Sequence, residues 1–285
     1  MEFTKMHGLG NDFIIVPPEI SANAVDWRAL AVALCDRHLG IGADGLVLVL
    51  PSTCADLRMR IINSDGSEPQ MCGNAIRCLA KYAFEHQIVS REVFSIETQA
   101  GIRYPELILT GNQVTGVKVN MGQPLLERSA IPMFGPKGQV INEPLSVGGQ
   151  QYRVTSMLMN VPHTVIFVPD LSQINPAQLG PAIEKHPVYT GGTNVNFVEV
   201  SDAQTIKVRT WERGAGATLA CGTGCCASVV AGALTGQTGR NVTVQIPVGS
   251  LLIEWAADEA VYMTGPAVTV FEGRMWGSRE LSVES

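Results

Sequence analysis

The chain has 285 residues, of which 46% are hydrophobic and 16% charged, and its formal net charge at pH 7 is −6. This length predicts one large domain or two medium ones, with enough apolar residues for packed cores. Scattered Lys and Arg in a chain of net negative charge argue against a nucleic-acid partner, and no apolar run in the sequence is long enough to span a bilayer.

The N-terminal sequence MEFTKMHGLGND lacks a basic segment followed by an apolar one, so we expect no secretory signal and a cytoplasmic protein. Most of the elements that follow are predicted to be short strands, rich in Val, Ile, Thr and aromatic residues and separated by Gly, Pro, Asn and Asp. The predicted strands cover residues 13–16, 45–50, 57–63, 94–98, 114–121, 163–168, 196–200, 205–211, 242–246, 250–256 and 260–265. Apolar residues at helical spacing predict helices over residues 26–38, 73–87, 222–236 and, interrupted by Pro181, 176–187.

Two of the predicted helices are strongly apolar, which is typical of a helix buried inside a domain. Each follows a Cys-Gly pair, in MCGNAIRC at residues 71–78 and in ACGTGCCA at residues 220–227. The sequence therefore predicts an α/β fold of the α+β kind with two similar halves, each a set of strands around one central helix. The segment MGQP at residues 121–124 is the expected crossing point, which gives domains of residues 1–120 and 121–266.

The chain has seven cysteines and five histidines. An odd number of cysteines in a chain without an export signal favours thiols over a disulfide scaffold. No cysteine pairs occur at zinc-ribbon spacing, the adjacent Cys225 and Cys226 fit one tetrahedral ion poorly, and the sequence has no HxxxH motif. We therefore expect no metal site, and at least one thiol is expected to have a chemical role.

Cys72 and Cys221 differ from the other cysteines because each directly precedes a glycine at a predicted helix start. The unpaired N–H groups and the positive dipole end of a helix stabilise an anion there. They can bring the pKa of a thiol, which is ~8.5 in isolation, towards neutrality, and they can also hold a substrate carboxylate. The remaining cysteines are interpreted as small packing residues. They are Cys35, Cys54, Cys78, Cys225 and Cys226.

Two acid/base thiols, one in each half, indicate racemisation or epimerisation across a shared cleft. Inversion at a carbon needs a base on one face and an acid on the other. A redox pair would more often be a CxxC motif, and a nucleophilic mechanism would need one cysteine with a histidine base. Helix N-termini aimed at the substrate carboxylate would stabilise the developing negative charge. No lysine lies in a context typical of a Schiff base, so we expect no pyridoxal cofactor.

Five blocks of the sequence, spanning nearly the whole chain, resemble the diaminopimelate epimerase family. In family order they are HGLGNDFIIV (7–16), RHLGIGADGLVLV (37–49), NSDGSEPQMCGNAIRC (63–78), TNVNFVEV (193–200) and WERGAGATLACGTG (211–224). The resemblance implies a cofactor-independent isomerase that interconverts LL-2,6-diaminopimelate and the meso form, on the route to lysine and peptidoglycan.

The resemblance also implies a fold and an assembly. Two pseudo-symmetric domains are expected, each a β-barrel-like sheet around a central helix, with a tail at residues 267–285 that returns to the N-terminal domain. The active site is expected between the domains. The expected partners are a small amino-acid substrate and a second copy of the chain in a homodimer, with no nucleic acid and no membrane.

Carried over by resemblance, the site has two groups of residues. The catalytic residues would be the acid/base cysteines Cys72 and Cys221, with His163 and Glu212 assisting them. The substrate-binding residues would be Asn11, Asn63, Gly73, Asn74, Asn194, Arg213, Gly222 and Thr223. The Gly-Asn and Gly-Thr pairs among them would hold the reacting carboxylate through backbone amides, and Arg213 suits a bidentate grip on the distal carboxylate.

The sequence departs from the family pattern at three positions. Ala75 and Ala217 stand where Gly and Glu are usual, and we expect these changes to affect packing or loop shape more than chemistry. Val161 stands where a substrate-binding Asn is usual, which removes a polar contact of the kind that sets selectivity. Asn160 precedes it, and on a strand its side chain would point the other way.

These departures leave alternatives open. The nearest is a racemase of another amino acid on the same scaffold, favoured by Val161. A non-catalytic amino-acid-binding or interaction protein is disfavoured because both cysteines, His163 and the Glu212-Arg213 pair are present. A thiol redox protein would require a disulfide between Cys72 and Cys221 in its working state.

Overall fold

The computed structural model describes residues 1–22 and 25–275. The strands are β1 (Glu2–Gly8), β2 (Asn11–Val16), β3 (Gly45–Leu50), β4 (Leu57–Asn63), β5 (Ile96–Thr98), β6 (Gly101–Arg103), β7 (Glu106–Thr110), β8 (Gln113–Asn120), β9 (Val140–Val147), β10 (Gln150–Met159), β11 (Val161–Phe167), β12 (Asn194–Asp202), β13 (Thr205–Glu212), β14 (Gly216–Thr218), β15 (Asn241–Ile246), β16 (Gly249–Trp255), β17 (Val261–Gly265) and β18 (Val268–Arg274). The α-helices are α1 (Pro18–Ser21), α2 (Trp27–Cys35), α3 (Gly73–Glu85), α4 (Pro176–Glu184) and α5 (Gly222–Leu234).

These elements form two compact units. The first unit comprises Met1–Val119 together with the segment that begins at Gly265, and the second unit is Asn120–Thr264. The mixed α+β class predicted from the sequence is confirmed. None of the helices in the described part of the chain is long and apolar enough to cross a membrane.

The first unit contains a sheet with the strand order β18-β1-β2-β3-β4-β5-β6, and β7 and β8 form an antiparallel hairpin. Helix α3 packs against β1, β2, β3 and β4, whereas α2 packs against β3 and β4. Strand β2 carries an unbroken buried apolar run, Phe13–Val16, which is typical of a strand covered on both faces. Trp27, Leu30 and Leu34 of α2 belong to a cluster that also contains Ile14, so α2 contributes to the core of this sheet.

The second unit contains a sheet with the strand order β17-β16-β15-β13-β12-β11-β10-β9, with β14 paired to β13. Helix α5 packs against β10, β11, β12, β13, β15 and β16. Its residues from Gly224 to Gly232 are all buried, as expected for a helix apolar nearly all round. Helix α4 packs against β12, β13 and β14, and its Ile183 joins a core cluster with Phe197.

Helix α2 is shorter than its predicted range of residues 26–38 because an aspartate stands at each end. At the start, the Asp26 carboxylate accepts hydrogen bonds from the backbone N–H groups of Arg28 and Ala29, which makes it an N-cap. At the other end, the Asp36 carboxylate accepts from the N–H groups of His38 and Leu39. This local turn competes with helical hydrogen bonding and ends α2 at Cys35.

Strands β1, β6, β7, β9, β10 and β14 were not predicted. In β1, β9 and β10 the reason is that polar residues interrupt the apolar pattern. In β1, Lys5 is buried with its ammonium 2.7 Å from a carboxylate oxygen of Asp12. The expectation that Asn160 lies on a strand is wrong. It is an exposed residue with φ 63° at the tip that joins β10 to β11, a left-handed conformation that Asn tolerates.

The predicted tail at residues 267–285 is described only as far as residue 275. Within that range β18 pairs antiparallel with β1, with Phe3 opposite Gly273. The ring of Phe3 lies edge-on to that of Phe271, with centroids 6.0 Å apart. Residues 276–285 lie outside the described part of the chain.

Candidate active site

Cys72 is the residue at the N-terminal cap of α3, with extended backbone angles of φ −139° and ψ 119°. Its carbonyl accepts the first helical hydrogen bond, from the N–H of Ile76 at 3.0 Å. In the described part of the chain no side chain caps this helix and no acidic residue lies in its first turn. The first N–H groups of α3 are therefore available to an anion.

The Cys72 thiol lies against two asparagine side chains. Its sulfur is 3.8 Å from the Oδ1 atom of Asn11, which also accepts a hydrogen bond from the Nδ2 group of Asn74 at 3.0 Å. The Nδ2 group of Asn11 donates to a carboxylate oxygen of Asp44 at 2.8 Å. Because one side of the Asn11 amide meets an acceptor and the other a donor, its oxygen must face the thiol.

Asp44 belongs to an ionic group behind Asn11. The Arg37 guanidinium makes a bidentate pair with Asp12, at 3.1 and 2.8 Å, and also bonds Asp44 at 2.8 Å. Burial acts to raise the pKa of Asp12, but hydrogen bonds from Arg37 and Lys5 outweigh it and hold that pKa well below its ordinary value. Both carboxylates are thus fixed, and Asp44 in turn holds Asn11.

The other site residues predicted in the first unit have different surroundings. Gly73 is the first residue of α3, and its carbonyl accepts from a guanidinium nitrogen of Arg77 at 3.1 Å. Asn63 ends β4, and its side chain donates to the hydroxyl of Ser67 at 2.9 Å. Hydrogen bonds thus join Cys72, Asn74 and Asn11, whereas among the described residues the Asn63 side chain bonds Ser67 and none of these three.

In the second unit Cys221 has the same position at the start of α5, with φ −126° and ψ 102°. Again no described side chain caps the helix, and its first residues are Gly222 and Thr223. The Cys221 sulfur is 3.6 Å from the hydroxyl of Thr223. Burial and the negative charge of Glu212 raise the pKa of Cys221 well above its ordinary value. Cys221 is therefore a thiol at neutral pH, and the expectation that the helix start would bring its pKa towards neutrality is wrong, because burial outweighs the helix N–H groups.

Glu212 is the charged residue that raises the pKa of Cys221. Glu212 is the last residue of β13. Its carboxylate accepts a hydrogen bond from the Thr218 hydroxyl at 2.5 Å, which fixes the orientation of the carboxylate. The nearby negative charge disfavours a thiolate at Cys221, so Glu212 keeps that proton in place.

We expect Glu212→Gln to lower the pKa of Cys221 while leaving it above that of an exposed thiol, because burial is the larger cause of the shift. The measurement is the pH dependence of Cys221 alkylation, followed peptide by peptide with mass spectrometry. Glu199→Gln, in an exposed pair with Lys207 on neighbouring strands, is the control and should leave the midpoint unchanged. An unchanged midpoint in Glu212→Gln would show that the carboxylate does not act on this thiol.

His163 is fully buried on β11, beside Asn194 of β12 in the parallel register. Burial, with a smaller contribution from the positive charge of Arg213, lowers its pKa to about 3. Its Nδ1 atom is 3.1 Å from the Nδ2 group of Asn196, and its Nε2 atom has no hydrogen-bond partner among the residues described. His163 is therefore neutral at pH 7.

Asn194 and Arg213 are joined through the backbone. The Asn194 side-chain oxygen accepts from the N–H of Arg213 at 2.7 Å, and the Arg213 guanidinium donates to the carbonyl of Gly191 at 2.6 Å. In the part of the chain that the structure describes, no carboxylate pairs with this exposed guanidinium. Its remaining N–H groups can bind an anionic group of a ligand.

Sequence reasoning missed two polar residues of these sites, Asp44 and Asn196. The signal for Asn196 was present, because a second asparagine two positions after Asn194 falls on the same face of a strand whose first half is otherwise apolar. Asp44, in the segment GIGADG, resembled an ordinary turn residue. In residues 1–22 and 25–275, no group of three His, Cys, Asp or Glu side chains is arranged to hold a metal ion.

Comparison with known proteins gives consistent matches. The sequence profile of the family described as diaminopimelate epimerase matches residues 3–126 and 155–270. A diaminopimelate epimerase of Pelotomaculum thermopropionicum is 55% identical over 274 residues, covering 96% of this chain and 98% of that one. Another, of Methanococcus maripaludis, is 46% identical over 276 residues, covering 96% and 99%.

Solved structures share the fold at lower sequence identity. A phenazine biosynthesis protein of the PhzF family from Bacillus anthracis has a TM-score of 0.71 at 16% identity, covering 97% of this chain and 99% of its own. A probable proline racemase from Agrobacterium radiobacter has a TM-score of 0.65 at 15% identity, covering 96% and 92%.

Proposed function

Because the chain belongs to the diaminopimelate epimerase family, we propose that Cys72 and Cys221 are the acid/base groups with which it interconverts LL-2,6-diaminopimelate and meso-diaminopimelate. The chain is an isomerase acting on a small molecule. The observation that supports the two cysteines is their equivalent position, each at the uncapped N-terminus of a buried helix in its own unit.

The proposed reaction moves one proton off a carbon and another onto it. In one direction a thiolate at Cys72 takes the α-proton, so that the Cα–H bond breaks and an S–H bond forms. The electron pair moves towards the carboxylate, and the thiol of Cys221 then delivers its proton to the opposite face of the same carbon. No electrons are exchanged, and the reverse reaction exchanges the roles of the two sulfurs. The high pKa of Cys221 suits the donor role.

The substrate carboxylate needs stabilisation because the α-proton of an amino acid is weakly acidic. We assign this to the backbone N–H groups at Gly73-Asn74 and at Gly222-Thr223, where the helix dipoles favour negative charge. These donors are already in position before the reaction, so that no reorganisation is needed as charge develops. No metal or organic cofactor is part of this proposal.

The remaining predicted residues are proposed to bind the substrate or assist the thiols. Arg213 would hold the distal carboxylate, since its guanidinium is anchored at Gly191 and keeps N–H groups for a ligand. The asparagines would bind the polar groups of the substrate, with Asn11 also facing the Cys72 thiol. The proposed substrate-binding asparagines are Asn11, Asn63, Asn74 and Asn194.

The test of the substrate is incubation of the purified protein in deuterium oxide with LL-diaminopimelate and, separately, with a panel of L-amino acids. We expect deuterium at the α-carbon of diaminopimelate only. The replacement of the usual Asn by Val161, half-buried at the start of β11, makes a related amino acid the second candidate. Deuterium that enters only another amino acid would overturn the assignment in favour of that racemase. The Cys72→Ser, Cys221→Ser double variant supplies the background rate.

We also propose that the working form is a cytoplasmic homodimer, with the edge strand β18 in the interface. Strand β18 ends the sheet order of the first unit, and its residues Val268, Val270 and Phe271 are exposed. An apolar edge strand pairs readily with a second chain. All seven cysteines are thiols, as is usual in a reducing compartment. Sedimentation velocity that gives only the monomer mass at micromolar concentration would contradict the dimer.

A further inference from the structure

A chain of hydrogen bonds inside the second unit ends on His163. The hydroxyl of Thr210 is 3.1 Å from the Oδ1 atom of Asn196, and the Nδ2 group of Asn196 is 3.1 Å from the Nδ1 atom of His163. Asn196 and His163 are fully buried, and Thr210 is nearly so. These residues lie on three adjacent strands, β13, β12 and β11.

Two neighbours of Asn196 decide which way its amide points. The carbonyl of Thr164, which can only accept a hydrogen bond, is 3.5 Å from Nδ2. On the other side, Oδ1 lies against the first turn of α5, so close to Gly224 that a Cβ atom there would be 2.3 Å from it. The positive end of a helix favours an oxygen over an N–H group at that place. The amide nitrogen therefore faces His163.

An amide nitrogen only donates hydrogen bonds, so the Nδ1 atom of His163 must accept one. A neutral imidazole that accepts at Nδ1 carries its hydrogen at Nε2. That Nε2–H group is buried and has no partner among the described residues. A buried donor without a partner is costly, and such a group is expected where a ligand or a reacting atom supplies the acceptor.

We propose that Asn196 is a positioning residue that fixes His163 as an Nε2–H donor, so that His163 assists the reaction by donating a hydrogen bond and not by taking up a proton. The tautomer follows from the second unit alone. Only the identity of the acceptor, a substrate oxygen or a sulfur that carries negative charge, rests on the proposed function.

Among the residues that the structure describes, one charged group, Arg213, acts on the pKa of His163. Across β10 its neighbour is Met157, and across β12 it is Asn194. Helix α5 also packs against β11, and the positive charge of Arg213 disfavours a proton on the imidazole. None of these groups would hold a proton on Nδ1.

The direct test is nitrogen-15 NMR of the histidine side chains, which is feasible because the chain has five histidines. For His163 we expect an unprotonated Nδ1 and a protonated Nε2 that do not change from about pH 5 to about pH 9. A proton on Nδ1, or titration of His163 near neutrality, overturns the proposal. This measurement uses the wild-type protein and needs no activity.

Asn196→Asp supplies the variant. A carboxylate accepts hydrogen bonds only, so it would place the imidazole hydrogen on Nδ1 and leave Nε2 without one, because burial disfavours the charged imidazolium. We expect the nitrogen-15 signals to show this exchanged tautomer and kcat to fall about 10²-fold, because the Nε2–H donor is lost. A His163 with its hydrogen on Nδ1 alone and an unchanged kcat would contradict its role as an Nε2–H donor.

Two controls separate the tautomer from a general loss of structure. His186 accepts from the Val188 N–H at Nδ1 and contacts the Ser146 carbonyl through Nε2, so its signals should be unaffected. If Asn196→Asp does not fold, Thr210→Val is the second variant. It removes the hydrogen bond from the Thr210 hydroxyl to Asn196 without adding charge, and it should lower the fraction of His163 that carries its hydrogen at Nε2. A wild-type protein with the expected tautomer but no epimerisation would refute the proposed function and leave this inference standing.

Discussion

Cys72→Ser and Cys221→Ser are each expected to lower kcat for epimerisation by at least about 10³-fold while leaving the fold intact, since acid/base groups contribute 10²- to 10⁴-fold. A serine hydroxyl matches the thiol in size but ionises far above neutral pH, so it neither takes nor gives the α-proton. The double variant should be little worse than either single variant, because we propose that the two thiols act as one unit. The measurement is circular dichroism or chiral chromatography of the diaminopimelate isomers.

The controls for the cysteine variants come from the same chain. Cys54→Ser changes an exposed thiol and should leave kcat unchanged. Cys78→Ala changes a buried thiol of the same helix as Cys72, whose pKa burial raises to about 12, and should affect stability more than kcat. Full activity in Cys72→Ser or in Cys221→Ser would exclude the mechanism with two acid/base groups. Additive losses in the double variant would mean that the thiols act independently.

Arg213→Ala is expected to lower kcat/KM for diaminopimelate by about 10²-fold or more, mainly through KM, because the charge-assisted bidentate pair that we propose with the distal carboxylate would be lost. Arg213→Lys should recover little, since an ammonium is a point charge and cannot make two parallel hydrogen bonds. Steady-state kinetics over a range of substrate concentrations separates the two parameters.

Arg209 is a matched control for Arg213. It is exposed on the same strand, β13, and Arg209→Ala should leave KM unchanged. If both variants raise KM equally, the cause is a general loss of positive charge near the site, and the proposal that Arg213 binds the distal carboxylate is wrong. If Arg213→Ala leaves KM unchanged, the substrate does not use this guanidinium.

The starts of the two central helices could be predicted because a helix N-terminus is a local feature. A Cys-Gly pair followed by small and apolar residues can be recognised within about eight residues of sequence. Helices α3 and α5 begin at Gly73 and Gly222 as expected. The early end of α2 was not predicted. Asp36 ends the helix because its carboxylate accepts from the backbone N–H groups of His38 and Leu39, but an aspartate can also lie within a helix, so the residue type alone does not show the end.

The residues that hold the site side chains in place, Asn196 and Asp44, could not be predicted, because their contacts depend on strand register. Asn196 meets His163 and Thr210 only when β12 lies between β11 and β13 in one particular register. Asp44 meets Asn11 only because β2 and β3 run parallel side by side. A shift of one residue would turn each side chain to the opposite face of its sheet. Side chains that act through other side chains therefore become visible only in three dimensions.

Gly224 lies in the first turn of α5, and it is not one of the glycines with positive φ, so the backbone there would accept any residue. Its lack of a side chain instead makes room for the Asn196 oxygen. A glycine inside a helix costs about 1 kcal/mol relative to alanine. Gly224→Ala, a substitution that strengthens most helices, would here displace the amide that orients His163. Gly224 therefore lowers the stability of α5 in order to keep Asn196 in place, and attempts to stabilise this helix by substitution should leave Gly224 unchanged.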